Sequence, residues 1–376
     1  MRRTAPRGMV EVVDLGGFVN ITRIARFTTS LAVAAAIAGC GKQGLTTPTP
    51  TPTPVHGWED LSLTSSFAEA SALAEFQNGL VAGGSFFDAA GLQRASLVQW
   101  KSSAWAGPSS QPNADILAFG AYQGRLVAGG NFNRVGADTV QYVATWNGST
   151  WSPVGGGTDG SVYALSPFGR DLVAGGTFLH AGDQQVSLIA RWDGDTWHDM
   201  GGGMNDAVAA LAEYNGDLVA GGWFQTAGGV PARYIAAWNG TSWRPLATPN
   251  DLNGVVRALY ALRDTLYVGG SFDMAAGFQA THVARWDGTR WSPMGAGLGE
   301  FSTEPVLAFT TFNDQLVAGG LFPGGIATWT GSQWLPLGNL DGGVNTLTVF
   351  EDRLYAGGSF GRVEGGPNGV ARWNPQ

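Results

Sequence analysis

Cysteine is nearly absent: Cys40 stands alone in 376 residues, so no disulfide can form within the chain. Charge is scarce as well, at 13% of residues, and basic residues are fewer than acidic ones, 21 against 29. Residues 1–39 carry five arginines against Glu11 and Asp14, a surplus of three, so the rest of a chain of net charge −8 stands at −11. A surface this acidic repels phosphate backbones, and no basic stripe offsets it, which argues against a nucleic-acid partner. Four histidines occur, His56, His180, His198 and His282, and none lies at metal-ligand spacing from another His or from the Cys. The sequence therefore predicts no metal and no cofactor, with His180 and His282 as solvated loop residues. There is no Gly-x-Ser-x-Gly elbow and no phosphate-binding glycine loop.

Long hydrophobic runs are missing too. The most apolar stretch, residues 27–39, has 13 residues behind Arg23 and Arg26, too short to span a bilayer and suited to a signal-peptide core. Ile37-Ala38-Gly39-Cys40 resembles the bacterial lipobox, which implies cleavage before Cys40 and acylation of its thiol. An ordinary signal peptide followed by a coincidental Cys would give the same run; the lack of any other Cys favours the lipobox. The 26 residues ahead of the run, with Glu11 and Asp14 among them, depart from the short leader that the pattern normally has. Gly41 in place of Asp implies, by the same resemblance, the outer membrane of the cell envelope. A Thr/Pro tract at 46–54 follows. Held in a polyproline conformation, its nine residues would span on the order of 30 Å as a stalk. The expected organisation is a signal peptide at 1–39, a lipidated Cys with its stalk at 40–57, and a folded domain at 58–376.

Glycine and tryptophan are what the chain has in abundance, 58 and 15 residues. They recur together. Leu-x-x-Gly-Gly motifs place paired glycines at 83–84, 129–130, 175–176, 221–222, 269–270, 319–320 and 357–358. Each pair is followed by a Trp (Trp100, Trp146, Trp192, Trp238, Trp286, Trp329, Trp373), and six of these by a second Trp five residues later. A Phe always stands next but one after the second glycine. Seven units of 38–50 residues, each divisible into four short strands, have the size of propeller blades. The last unit ends without a fourth strand, and Trp58-Glu59-Asp60-Leu61 ahead of the first unit can supply it. The prediction is an all-β, seven-bladed β-propeller closed by its N-terminal strand, with no obligatory free edge and so a monomer. Fourteen of the fifteen tryptophans find a place in this pattern, and Trp223 does not.

The paired Gly with a later Trp resembles kelch-type propellers. The fuller run Leu218-Val-Ala-Gly-Gly with Ile235-Ala-Ala-Trp-Asn-Gly is similar to repeats of bacterial envelope proteins and of Rax2-like fungal cell-surface polarity proteins. The resemblance implies architecture more than activity, because propellers host many functions. The kelch-type enzyme galactose oxidase joins a Cys to a Tyr beside copper-binding His, and with Cys40 outside the ring that chemistry is excluded. Gly148-Ser-Thr-Trp151 and Gly194-Asp-Thr-Trp197 match half of an Asp-box, which is a turn motif. The glycines are expected to let strands or blades approach closely, and Asn239-Gly240 to form a tight hairpin turn.

Alternate loops of a blade share a face. The a–b and c–d turns are short and alike, whereas the b–c and d–a connections vary, and binding residues concentrate on variable loops of a rigid scaffold. In blade 6 the b–c loop shrinks to Leu321-Phe322-Pro323-Gly324-Gly325, just after the longest d–a connection, 298–305. These irregularities predict a notch walled by Glu300, Phe301 and Glu304, with Trp223 and Phe278 on the same face as ligand-binding candidates. No catalytic residue is expected. The functional expectation is a surface-displayed binding or protein-interaction module, with an envelope protein or polysaccharide as partner. The alternative is a carbohydrate-active hydrolase or lyase working through loop carboxylates.

Overall fold

The computed structural model describes residues 57–61, 65–88, 94–246, 248, 250–301, 303–360 and 369–375. Cys40, the Thr/Pro tract and His56 lie outside the described residues. Within them the chain is a seven-bladed β-propeller, and no helix there is long and apolar enough to cross a membrane.

Blade 4 shows the plan. Strand a (Val208–Tyr214), strand b (Asp217–Gly222), strand c (Ile235–Trp238) and strand d (Trp243–Pro245) pair antiparallel in that order. Asn215 and Gly216, both at positive φ (51° and 83°), make the two-residue a–b turn. The c–d connection is not the tight Asn-Gly turn expected from sequence. Trp238 pairs with Trp243, which leaves a four-residue loop in which Asn239 Oδ1 accepts the amides of Thr241 and Ser242. Asn147, Asp193 and Asp287 do the same in blades 2, 3 and 5. An Asx side chain, and not φ alone, shapes these turns.

The last blade is composite. Its strands Gly342–Phe350, Arg353–Phe360 and Val370–Asn374 are joined on the outside by Gly57–Asp60, in the order Gly57–Asp60, c, b, a. Trp58 faces Trp373 in that pairing, and Arg372 grips the Glu59 carboxylate at 2.6 Å.

The paired glycines have two separate structural jobs. A Cβ on the first would strike the next blade: on Gly129 it would lie 2.5 Å from Cγ1 of Val162, and on Gly221 2.4 Å from Cγ1 of Val256. A Cβ on the second would strike its own blade: on Gly222 it would lie 2.1 Å from the Ala207 carbonyl oxygen, and on Gly176 1.9 Å from that of Ser161. The first glycine therefore sets the distance between blades and the second the approach of strand a to strand b. Beyond each pair the Phe is buried, Phe132, Phe178 and Phe224 completely. Burying a Phe contributes about 1.5–3 kcal/mol.

Tryptophans belt the ring. The two Trp of each c–d hairpin face each other, with ring centroids 5.2–6.0 Å apart. Except in blade 6, where Trp334 Nε1 has no hydrogen-bond partner, the second indole then reaches backwards: Trp243 Nε1 donates to the Met200 carbonyl at 2.6 Å, Trp197 Nε1 to that of Val154 at 3.2 Å, and Trp58 Nε1 to that of Leu337 at 2.8 Å. One side chain thus covers a hairpin and ties it to the chain leaving the preceding blade.

Candidate functional site

Opposite every glycine pair, strand a carries a β-bulge. In blade 4 Val208 pairs with Gly222 and Ala210 with Gly221, so Ala209 is left over. The same register shift leaves over Ser71, Leu117, Tyr163, Arg257, Leu307 and Asn345 in the other blades. The physical cause is the second glycine, which admits a strand-a carbonyl where a Cβ would stand. Five of the seven bulged residues (Ser71, Leu117, Arg257, Leu307, Asn345) line a central cavity of about 250 Å³ to which strand a of every blade contributes. The bulge lies near the start of strand a, so this ring of unlike side chains sits towards the face carrying the b–c and d–a connections.

Trp223 belongs beside it. It follows the Gly pair of blade 4, donates its backbone N–H to the Ala207 carbonyl at 3.0 Å, and lies half-buried. The Arg257 guanidinium of blade 5 packs over its ring, 4.8 Å from the centroid. Arg257 Nε also donates to Ser271 Oγ at 3.3 Å. Burial lowers the Arg257 pKa from its ordinary value, and no carboxylate forms an ion pair with it among the described residues. Across the channel, Asn345 Nδ2 donates to Glu69 Oε1 at 3.3 Å.

The outer part of this face is built differently in blade 6. Blades 2 to 5 each fold the b–c connection into a small two-stranded hairpin, such as Thr226–Ala227 with Val230–Pro231. An Asx residue of the d–a connection clamps its base: Asn205 Oδ1 accepts the amides of Gln225 and Thr226, and Asn253 Oδ1 those of Asp273 and Met274. Blade 6 has only the short turn 321–325, closed by the Gly325 amide on the Phe322 carbonyl at 2.8 Å.

The sequence-predicted residues are thereby sorted. Phe301 and Phe278 are both exposed, at 63% and 55%. Glu300 is exposed, whereas Glu304 folds back on its own turn and accepts the amides of Glu300 and Phe301 at 2.7 and 3.3 Å. The structure thus joins Glu300, Phe301 and Glu304 in one turn. Among the described residues no hydrogen bond or ring contact links Trp223 or Phe278 to it. Asp251, another carboxylate of this face, holds the Thr248 amide and the Trp291 indole. These carboxylates shape loops.

One histidine departs from expectation. His180 is exposed and pairs with Asp159 at 2.8 Å, but His282 is wholly buried. It stands at a left-handed position (φ 63°) filled by Tyr142, Leu188 and Tyr234 in the blades before it. Its Nδ1 meets the Leu298 carbonyl at 2.7 Å, so Nδ1 carries the proton and donates, while Nε2 makes no hydrogen bond and has the Asp273 carboxylate 3.9 Å away. It is a packing residue beneath the 298–304 connection. No group of three potential metal ligands occurs among the described residues.

The bulged ring escaped the reading of the sequence, although a signal was there. The strand-a motifs read Ala-Ser-Ala-Leu, Ile-Leu-Ala-Phe, Val-Tyr-Ala-Leu, Val-Ala-Ala-Leu, Val-Arg-Ala-Leu, Val-Leu-Ala-Phe and Val-Asn-Thr-Leu. Only their second position varies freely.

No family model matches the chain, and no curated protein matches it. Among solved structures, the extracellular domain of a putative hybrid two component system from B. thetaiotaomicron is similar at 11% identity and TM-score 0.58. That match covers 86% of this chain and 40% of the other, so the chain spans about two-fifths of that protein's length. YCF48 bound to D1 peptide is similar at 11% identity and TM-score 0.54, over 86% of this chain and 97% of that one. The WD40 beta propeller domain of Doa1 follows at 11% identity and TM-score 0.52, over 85% and 96%. Identities this low show a fold. The chain is a β-propeller with structural neighbours among bacterial extracellular and WD40 propellers.

Proposed function

We propose that this propeller is a kelch-like, exported binding module, acylated at Cys40, that holds a protein partner at the cell envelope through its b–c and d–a face. One observation carries the reading. Of the seven exposed large hydrophobic side chains among the described residues, six (Leu179, Val230, Met274, Phe278, Phe301, Leu321) stand on connections of that face in blades 3 to 6. Apolar side chains gathered on one side of a rigid domain mark an interaction surface. Most of them are aliphatic, which suits a protein surface better than a sugar, whose hydroxyls would be left unpaired against Leu and Val. The carboxylates of the face that hold their own loops lend no support to acid–base hydrolysis.

The face is tested by crosslinking in cells that express the chain, comparing the parent with a Phe278→Ala, Phe301→Ala double variant. A partner captured by the parent and lost from the folded variant supports the reading; identical capture, or binding confined to a polysaccharide array, overturns it. The anchor is tested separately. Cys40→Ser should move the chain from the membrane to the soluble fraction and abolish labelling by a fatty-acid analogue, and unchanged fractionation would refute acylation.

A further inference from the structure

We infer that Arg257, backed by Trp223, forms an anion subsite at the mouth of the central channel, and that it takes a carboxylate of a bound peptide. Register places the residue. The glycine pair creates seven bulged positions around the channel, and Arg257 is the only charged residue among them. A cation there is costly, because it is half-buried and no acidic group pairs with it among the described residues. The Trp223 ring 4.8 Å away offsets part of that cost and, with the Ser271 bond to Nε, restrains the guanidinium. Ser271 takes Nε, while neither Nη has a protein acceptor among the described residues. Two parallel donors on a held plane, beside a cavity, are the fork that receives a carboxylate.

Size and lining narrow the ligand. A cavity of about 250 Å³ is below the usual range for drug-sized molecules and has room for one or two residues of a peptide. Leu117 and Leu307 share its lining with Ser71 and Asn345, so an apolar side chain next to a carboxylate fits. Arg257 is the one charged residue lining the cavity, and the Glu69 carboxylate held by Asn345 adds negative charge nearby, so a monoanion is better balanced there than a dianionic phosphate. The identity of the ligand rests on the protein-binding reading; the anion subsite does not.

The test uses the full chain carrying Cys40→Ser, labelled with 15N-tryptophan, with the Trp223 indole signal identified by its loss in Trp223→Phe. Three peptides are titrated at constant ionic strength: acetyl-Leu-Ala-Leu with a free C-terminus, the same peptide amidated, and acetyl-Leu-Glu-Leu amide. Trigalacturonate is the fourth probe. At least one carboxylate-bearing peptide should shift the Trp223 signal saturably, and the free acid and the Glu peptide tell a C-terminus from a side chain. Arg257→Gln should weaken that binding about tenfold or more, and Arg257→Lys should restore part of it. Equal binding of the amidated peptide overturns the inference, as does an Arg257→Gln titration that superimposes on the parent, or no response to any peptide up to about 10 mM. A response to trigalacturonate alone overturns the peptide assignment. Should Arg257→Gln not fold, the acid and amide peptides on the unaltered residue decide by themselves. If Arg257 responds while the Phe278→Ala, Phe301→Ala variant keeps its partner, the subsite stands and the rim reading falls.

Discussion

The two faces of the ring are made by the same strands and use their side chains in opposite ways. On the a–b and c–d face, polar residues serve the backbone: Asn147, Asp193, Asn239 and Asp287 each hold two amides of their own loop. On the b–c and d–a face, Asx clamps hold the base of each hairpin, and the connections carry exposed Leu, Val, Met and Phe. A loop that satisfies itself has nothing left to offer a partner. The loops that are braced by these clamps tolerate unlike side chains, and that is where this molecule varies.

The comparison is broken most severely by attacking the frame beneath both faces. Gly222→Ala puts a Cβ 2.1 Å from the Ala207 carbonyl oxygen, a backbone atom held by the Trp223 amide. The cost should be on the order of 3 kcal/mol or more, seen as a melting temperature lower by several degrees. Gly202→Ala is the control: nothing lies within 4 Å of its Cβ, and only the left-handed backbone (φ 81°) opposes it, about 1–2 kcal/mol. If the two variants melt together, the close approach of the Ala207 carbonyl is not what requires glycine at position 222.

Next comes the belt between blades. Trp243→Phe keeps a ring against Trp238 but loses the 2.6 Å bond to Met200, and should destabilise by about 1–3 kcal/mol in denaturant titration. The rim behaves otherwise. Phe301→Ala and Phe278→Ala remove side chains that are already mostly in solvent, so each should change stability by less than about 0.5 kcal/mol while abolishing partner capture. A large stability loss from either would make the rim structural.

The smallest effect is electrostatic and belongs to the self-satisfied face. The Thr196 amide, then His198 and the Asp195 amide, hold the exposed Asp193 carboxyl well below its ordinary pKa, and Thr289 and Arg290 do the same for Asp287. A depressed folded-state pKa stabilises above the ordinary carboxylate range, and that stability drains away as pH falls through it towards the folded value. Asp193→Asn, Asp287→Asn should therefore melt slightly below the parent at neutral pH, with the gap closing as pH drops below about 4. Asn already fills this position in blades 2 and 4, so the turns should survive. A gap that is constant with pH would show that the charges contribute nothing.

Much of this architecture was legible because its determinants are residue types at fixed intervals. Paired Gly, the buried Phe and the facing Trp are each fixed by a local steric or packing demand, and Trp58 could be assigned to the last blade from the strand missing there. The misses share one cause: their partners are main-chain atoms or come from another blade. The carbonyl that fills the place of a Cβ at Gly222 has no letter in the sequence. Arg257 gains its setting from Trp223, 34 residues earlier, and only ring order brings the two together. His282 looked like a loop residue because its b–c connection is a loop; the 298–304 connection that buries it arrives later in the chain. Glu304 looked available as a ligand group because an acceptor already bound to its own turn has the same letter as a free one.

The clasp between Gly57–Asp60 and Val370–Asn374 also sets how this molecule comes apart. A stack of repeats open at both ends can fray from either, one unit at a time. In this ring both ends lie in one blade, and the Glu59–Arg372 contact joins residues 313 apart. That contact can form only after the intervening six blades have curved into place, which makes closure a late and slow event in folding. Once made, it removes the free end from which unravelling would start. Seven units that are nearly interchangeable as sequence should therefore unfold as a single cooperative body, and severing the clasp should turn them back into an array that melts piecemeal.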